Sequence, residues 1–304
     1  MNSKQPRLRA QERENQRNGI LFALPWLLGF AIFIAYPLCA SLYYSFCTYD
    51  AIRPARWVGL QNYQRLFFED PLFWKSLSNT LYMVAFGLPI GLVASLGIAM
   101  LLNQKVRGIA LYRTLYYLPS ITPVVATSIL WMWLLNPEMG LVNLFLKGVG
   151  VANPPAWLTD PFWSKSALIL MSLWGVGGGM VIYLAALKDV PEALYEAAAL
   201  DGASRWSQFR HVTLPMISPV IFFNLIMGLI GSFQYFTQAF VMTNGGPQDS
   251  TTFYALHLFN KAFLDFKMGY ASAMAWILFL ITLVGALLVF RTSARWVYYG
   301  GEVK

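Results

Sequence analysis

The sequence is poor in charge and in the residues that usually carry catalysis. Only 12% of its 304 residues are Asp, Glu, Lys or Arg, against about 25% in soluble domains. It has two histidines and two cysteines, and they form no cluster at metal-ligand spacing. Cys39 and Cys47 are eight residues apart on one predicted helix, about 12 Å between Cα atoms and beyond disulfide reach. We therefore expect no metal, no cofactor and no catalytic set.

Nucleotide-binding motifs are also missing. The chain has no G-x-x-x-x-G-K-[ST] phosphate loop, so any ATP would have to be hydrolysed by another protein. Its net charge is +8, but the basic residues are scattered over short loops and form no stripe with interleaved aromatics. The charge therefore predicts membrane topology and not binding to nucleic acid.

Long apolar runs dominate what is present. Hydrophobic residues make up 57% of the chain and its mean hydropathy is +0.51. About 20 apolar residues cross a bilayer, and none of the six runs of that length contains Asp, Glu, Lys or Arg. The runs are Gly19–Phe46, Leu77–Leu102, Leu115–Leu135, Ala167–Leu187, Val220–Met242 and Tyr270–Phe290. We predict an all-α membrane protein with six transmembrane helices, of which the first is too long for a cleaved signal.

The basic residues predict the orientation. Of the 22 Lys and Arg, 14 lie on the side that carries both termini and 8 on the other. Because Lys and Arg concentrate in cytoplasmic loops, both termini should be cytoplasmic. We expect a basic, partly disordered tail over 1–18, a six-helix domain over 19–290 with a cytoplasmic loop at 188–215, and a C-terminal tail over 291–304.

One polar segment, Glu192–Pro215, stands between two apolar runs. Pro191 suits the start of a helix, good helix formers continue to Leu200, and Gly202 provides a stop. Glu192 and Glu196 are four residues apart and share one face of this helix. The alanines that follow leave it thin, so we expect it to dock into a groove on another protein.

The order of residues in this segment resembles the EAA motif of ABC importer permeases. The matching residues are Glu196-Ala197-Ala198, Asp201-Gly202-Ala203 and Val212-Thr213-Leu214-Pro215, with valine where isoleucine is commonest. Further segments resemble the carbohydrate-type permeases that include the maltose importer, and the likeness extends from about Gly19 to Arg291. These are Gly59-Leu60-Gln61-Asn62-Tyr63, Phe73-Trp74, Ser78-Asn79-Thr80, Thr243-Asn244-Gly245-Gly246-Pro247 and Met268-Gly269-Tyr270-Ala271-Ser272-Ala273.

The resemblance implies a type I ABC importer permease in a bacterial inner membrane. Its implied partners are a second homologous permease, an ABC ATPase dimer and an extracytoplasmic solute-binding protein, working by alternating access. In such a complex Glu196 would enter the ATPase cleft, Ala197 and Ala198 would allow close docking, and Asp201 with Gly202 would form the turn that follows.

Candidate pathway residues lie in the fourth and fifth runs. Trp174 and Gly175 begin a glycine-rich interruption, which indicates either close helix packing or backbone open to a cavity. Ser232, Tyr235 and Gln238 place hydrogen-bonding groups beside aromatic rings, a combination suited to sugars. The alternative is that these groups bond to neighbouring helices.

Three functions are compatible with these observations. A sugar or oligosaccharide importer is favoured, because no intramembrane Arg or Lys is present to meet a phosphate. Import of glycerol phosphate or another polyol is the alternative within the same class. A self-contained secondary transporter is the alternative from another class, but it would need ionisable residues at membrane depth.

Overall fold

The computed structural model describes residues 5–104 and 106–298, and most of them are helical. The α-helices are α1 (Gln5–Phe30), α2 (Tyr36–Ser45), α3 (Gln61–Phe68), α4 (Pro71–Tyr82), α5 (Leu88–Leu102), α6 (Ile109–Tyr117), α7 (Val124–Leu134), α8 (Leu141–Gly148), α9 (Ser164–Trp174), α10 (Gly177–Lys188), α11 (Glu192–Leu200), α12 (Arg205–Gln208), α13 (Leu214–Phe233), α14 (Thr237–Met242), α15 (Tyr254–Phe259) and α16 (Met268–Ser293). Two short antiparallel strands, β1 (Cys47–Thr48) and β2 (Arg56–Trp57), pair Cys47 with Trp57.

Four continuous helical stretches are long and apolar enough to cross a membrane. They are Asn15–Ser45, Pro71–Leu102, Arg205–Phe233 and Met268–Ser293, and they contain much of the first, second, fifth and sixth predicted runs. Three of them contain a π-helical turn, at Ala31–Ala35, Met83–Gly87 and Phe209–Thr213. Each turn is followed closely by a proline, whose missing N–H disturbs the regular ladder.

The third and fourth predicted runs are not continuous helices, which corrects the sequence interpretation. The third comprises Ile109–Ile121 and Val124–Leu134, bent by 100°, and the fourth comprises Ser164–Trp174 and Gly177–Lys188, bent by 50°. In the third, Thr122 has ψ 141° before Pro123, the extended conformation that proline imposes on the residue before it. The described residues therefore contain four candidate spans, or up to six if each bent pair is one span.

The boundaries of two other predicted segments also change. The fifth run was predicted as Val220–Met242, but its helix begins at Arg205, ends at Phe233, and is followed by the separate α14. Ser204 caps the start, since its hydroxyl accepts the N–H of Ser207 at 3.2 Å. In the N-terminal tail, residues 1–4 lie outside the described residues, and those from Gln5 onward belong to α1.

The chain divides into two compact units. One contains the described residues up to Leu66 together with Lys261–Trp276; the other contains Phe67–Asn260 and the described residues from Ile277 onward. Within the first, the Asn62 side-chain amide donates to the carbonyls of Ser45 and Cys47, each at 2.9 Å. These two bonds fix α3 to the chain that follows α2.

The second unit has two hydrophobic clusters. One includes Met83, Trp131 and Leu168; the other includes Met180, Tyr183 and Ile217, where α10 packs against α5 and α13. The segments that carry the candidate coupling and pathway residues are anchored on these clusters.

Candidate functional site

The predicted acidic helix is α11, which begins at Glu192 and ends at Leu200. Its end is a Schellman motif: Gly202 N–H donates to Ala199 O at 3.0 Å and Ala203 N–H to Ala198 O at 2.9 Å. Gly202 has φ 76°, a left-handed conformation that glycine adopts without a steric penalty. The glycine therefore determines where the helix stops, and it redirects the chain toward α12.

The surface of this segment is open. Glu196, Ala197, Asp201 and Gly202 are exposed and Ala198 is half-buried. Two large apolar side chains beside them are also uncovered, with Leu200 90% and Trp206 69% exposed. An acidic helix flanked by uncovered apolar side chains is a surface suited to a protein partner.

The less exposed side of α11 contacts the chain directly before α13, within the long helix Arg205–Phe233. The Tyr195 hydroxyl lies 2.9 Å from Thr213 Oγ1, and the Tyr195 ring packs against the cluster around Ile217. Thr213 belongs to the π turn directly before α13. A side-chain hydrogen bond and apolar packing therefore join α11 to the start of α13.

A cavity of about 350 Å³, lined mostly by apolar side chains and glycines with five polar side chains among them, lies farther along the same helix. It is bordered by the π turn Met83–Gly87, by α5, by the break between α9 and α10, and by α13. Its polar side chains are Ser95, Ser172, Asn224, Ser232 and Tyr235, and none of the described residues that line it is charged. We call this the polar cavity.

The hydrogen bonds of these side chains determine what the polar cavity can bind. Ser172 and Ser232 hydroxyls donate to backbone carbonyls on their own helices, at 2.7 and 2.8 Å; the Asn224 amide does likewise at 2.9 Å. Ser95 donates at 3.3 Å to Val176 O, at the break between α9 and α10. The Tyr235 hydroxyl is enclosed by protein and has no hydrogen-bond partner among the described residues. The cavity thus offers uncharged hydroxyl and amide oxygens as acceptors, which suits an alcohol.

The predicted pathway residues are only partly brought together. Gly175, Ser232 and Tyr235 line the polar cavity. Trp174 lines a neighbouring, more apolar cavity of about 360 Å³ with Tyr112 and Tyr116, and Gln238 lies half-buried in α14, outside both. The sequence does not indicate Ser95 and Ser172 as site residues, because a single serine in an apolar helix carries no signal for a site.

The glycines of the fourth run have separate roles. A Cβ on Gly177 would collide with the carbonyl of Tyr116 and lie 2.9 Å from Tyr117 Cα, and one on Gly179 would lie 3.0 Å from Ser95 Oγ. A Cβ on Gly178 would meet nothing within 4 Å. Gly177 and Gly179 therefore permit close packing, as one interpretation predicted, whereas Gly175 exposes backbone to the polar cavity.

Comparison with known proteins decides the family. Residues 87–297 match the family described as binding-protein-dependent transport system inner membrane component. The chain belongs to this family. The permease is therefore a transport component of an inner membrane, which confirms the predicted localisation, and its several apolar helices agree with a multi-pass protein.

Two curated relatives are similar to the permease over nearly their whole lengths. The probable ABC transporter permease protein YesP of Bacillus subtilis is 42% identical, with 94% of each chain covered. The lactose transport system permease protein LacF of Rhizobium radiobacter is 36% identical, with 91% of this chain and 94% of LacF covered. These likenesses confirm the resemblance to ABC importer permeases.

A solved structure confirms the fold. The crystal structure of a bacterial alginate ABC transporter, in complex with a periplasmic protein that binds an alginate pentasaccharide, contains a chain 25% identical to the permease. The TM-score is 0.81, and 93% of the permease and 96% of that chain are covered. The permease therefore has the type I ABC importer permease fold.

Proposed function

We propose that this permease forms half of the translocation pathway of an ATP-driven importer for a sugar or oligosaccharide. The observation that carries the proposal is the polar cavity, whose uncharged hydroxyl and amide groups match the hydroxyl groups of a sugar. The neighbouring aromatic residues Trp174 and Tyr235 supply rings of the kind that stack on sugar CH surfaces. The names of LacF and the alginate transporter support this class of solute.

The same proposal includes partners and topology. The permease would pair with a second homologous permease, receive solute from an extracytoplasmic solute-binding protein, and be driven by an ABC ATPase dimer. Each bent helix pair would count as one span, which makes six, with both termini and loop 188–215 in the cytoplasm. The basic segment 1–18 and segment 291–304 would flank the membrane domain 19–290 on that side.

Coupling to the ATPase would use the exposed face of α11. Glu196 would meet a basic residue of the ATPase, Ala197 and Ala198 would allow its surface to approach closely, and Asp201 with Gly202 would present the turn. The contact of Tyr195 with Thr213 supports this role, because it joins the docking helix to the helix that borders the polar cavity.

Two alternatives are tested with the same preparation. A polyol such as glycerol phosphate would use the same cavity, although no cation lines it to meet a phosphate. A self-contained secondary transporter would need ionisable groups at the site of coupling, and the polar cavity has no Asp, Glu, Lys, Arg or His in its lining.

The first experiment is purification of the tagged permease from gently solubilised native membranes, with co-purifying proteins identified by mass. An ATPase, a second permease and a solute-binding protein are expected together. Recovery of the permease alone, under conditions that preserve a known importer complex, would contradict the proposal and favour a secondary transporter. The recovered binding protein can then be screened with sugars and with glycerol phosphate.

The coupling assignment is tested in the recovered complex. Glu196→Lys should abolish solute-stimulated ATP hydrolysis and leave assembly intact, because it reverses the charge that enters the ATPase cleft. Glu138→Lys is the control, since it makes the same charge reversal at an exposed carboxylate outside α11 and should retain full stimulation. Full stimulation with Glu196→Lys would refute the assignment.

A further inference from the structure

Two lysines lie on helices that lead to the polar cavity. Lys75 is in α4 and donates from Nζ to the carbonyl of Gln248 at 2.6 Å. Lys165 is in the first turn of α9; its Nζ donates to Asn79 Oδ1 at 3.1 Å and lies 5.0 Å from the centre of the Tyr82 ring. In the part of the chain that the structure describes, neither ammonium pairs with a carboxylate.

The loop that contains Gln248, Asp249 and Thr252 brings the Lys75 and Lys165 side chains together. The Asn79 side chain, whose oxygen accepts from Lys165, donates from its amide nitrogen to the carbonyls of Asp249 and Thr252, at 2.9 and 3.1 Å. Lys75 bonds to Gln248, directly before Asp249. Gln248 and Asp249 both have positive φ, 49° and 57°, an uncommon conformation for residues other than glycine. The fold thus holds two like charges at one loop, where they repel each other.

The position of the pair relates it to the polar cavity. Tyr82 directly precedes Met83, which lines the cavity, and Asn79 is about one helical turn before it. Lys165 precedes Ser172 by about two helical turns. At 1.5 Å per residue, the Lys165 backbone lies about 10 Å along α9 from Ser172. In the proposed orientation, this end of both helices faces the outside, where solute would arrive.

We propose that Lys75 and Lys165 bind the anionic group of an acidic sugar before it reaches the polar cavity. The inference depends on the importer function proposed above and narrows its solute class. Each ammonium has donors beyond the bond described, and a carboxylate or sugar phosphate accepts charge-assisted hydrogen bonds from such groups. The absence of cations at membrane depth then no longer favours a neutral solute, because the charge is met at the outer end.

The test measures equilibrium binding to the purified importer complex by calorimetry, with digalacturonate and its neutral counterpart galactobiose as probes. The wild-type complex should bind digalacturonate at least tenfold more tightly. Lys75→Gln with Lys165→Gln should remove that preference and leave galactobiose binding unchanged. Lys165→Arg should retain it, and Lys147→Gln, a change at an exposed lysine elsewhere on the proposed outer side, should have no effect.

Several outcomes would overturn the inference. They are equal affinity of the wild type for both sugars, no binding of either, or an equal loss of both in the double variant, which would indicate a structural role. Loss of stimulation by the binding protein with any solute would identify the lysines as a protein-docking contact instead. Competition by inorganic phosphate would separate a phosphate site from a carboxylate site. Recovery of the ATPase and ATP-driven uptake would leave the importer function standing in each case.

Discussion

Alanine at position 177 should destabilise the permease, although alanine is the better helix former. The added Cβ would collide with the Tyr116 carbonyl and come within 2.9 Å of Tyr117 Cα. Both contacts are with backbone, so no side chain can rotate away. Overpacking of this kind costs about 1–3 kcal/mol, against a gain in helix propensity of about 1 kcal/mol.

Gly178→Ala is the matched control, because it makes the same change on the same turn with no atom within 4 Å. It receives the propensity gain without the collision, so the difference between the variants isolates the collision, about 1–3 kcal/mol. At about 2–4 °C per kcal/mol, Gly177→Ala should melt several degrees below Gly178→Ala. The assay is thermal melting of the detergent-purified permease by tryptophan fluorescence.

Equal melting temperatures for the two variants would refute the packing at Gly177. They would mean that α10 is not held against residues 116 and 117, and that the 50° bend is not fixed from that side. A lower melting temperature for Gly178→Ala alone would place the opposite face of α10 in contact with a neighbour.

Three further predictions follow from hydrogen bonds in the second unit. Tyr235→Phe should leave the permease at least as stable, because a buried hydroxyl without a partner costs about 1–3 kcal/mol. The same change should lower solute uptake. A fall in melting temperature would contradict the inference that this hydroxyl is unpaired. Tyr195→Phe and Thr213→Val should each lower the free energy of unfolding by about 1 kcal/mol and reduce solute-stimulated ATP hydrolysis. If the two residues act through one hydrogen bond, the double variant should lose no more stability than either single variant. Asp70→Ala should lower the free energy of unfolding by about 1 kcal/mol or more, because Asp70 caps α4 and lies 2.9 Å from the Nε2 of buried His257. Stability equal to the wild type would contradict this.

Local signals allowed some elements to be predicted closely. Pro191 and Gly202 indicated the limits of α11, because a helix start and a left-handed stop depend on residues next to each other in the chain. The apolar runs indicated the four long helices for a similar reason. In each of these cases the signal and the structure lie in the same short segment.

The bent pairs and the polar cavity could not be predicted in this way. Hydropathy reflects the number of apolar residues and does not detect a break in a helix, although Pro123 is a local indication of the break in the third run. Ser95 and Ser172 come together only because α5 packs beside the break in the fourth run. The lysine pair likewise depends on a loop more than 80 residues from Lys165 in sequence.

The break between α9 and α10 has a consequence for how this transporter could change its substrate. At a helix end some backbone groups lie outside the regular ladder and can bond elsewhere; here the Val176 carbonyl, in the wall of the polar cavity, also accepts from the Ser95 hydroxyl. Substitutions other than proline leave these backbone groups in place, so part of the hydrogen bonding at this wall depends on the backbone and not on side chains. An alanine scan of the lining should therefore underestimate the contribution of this wall, and related permeases could acquire new sugars by altering the other walls while this one continues to function.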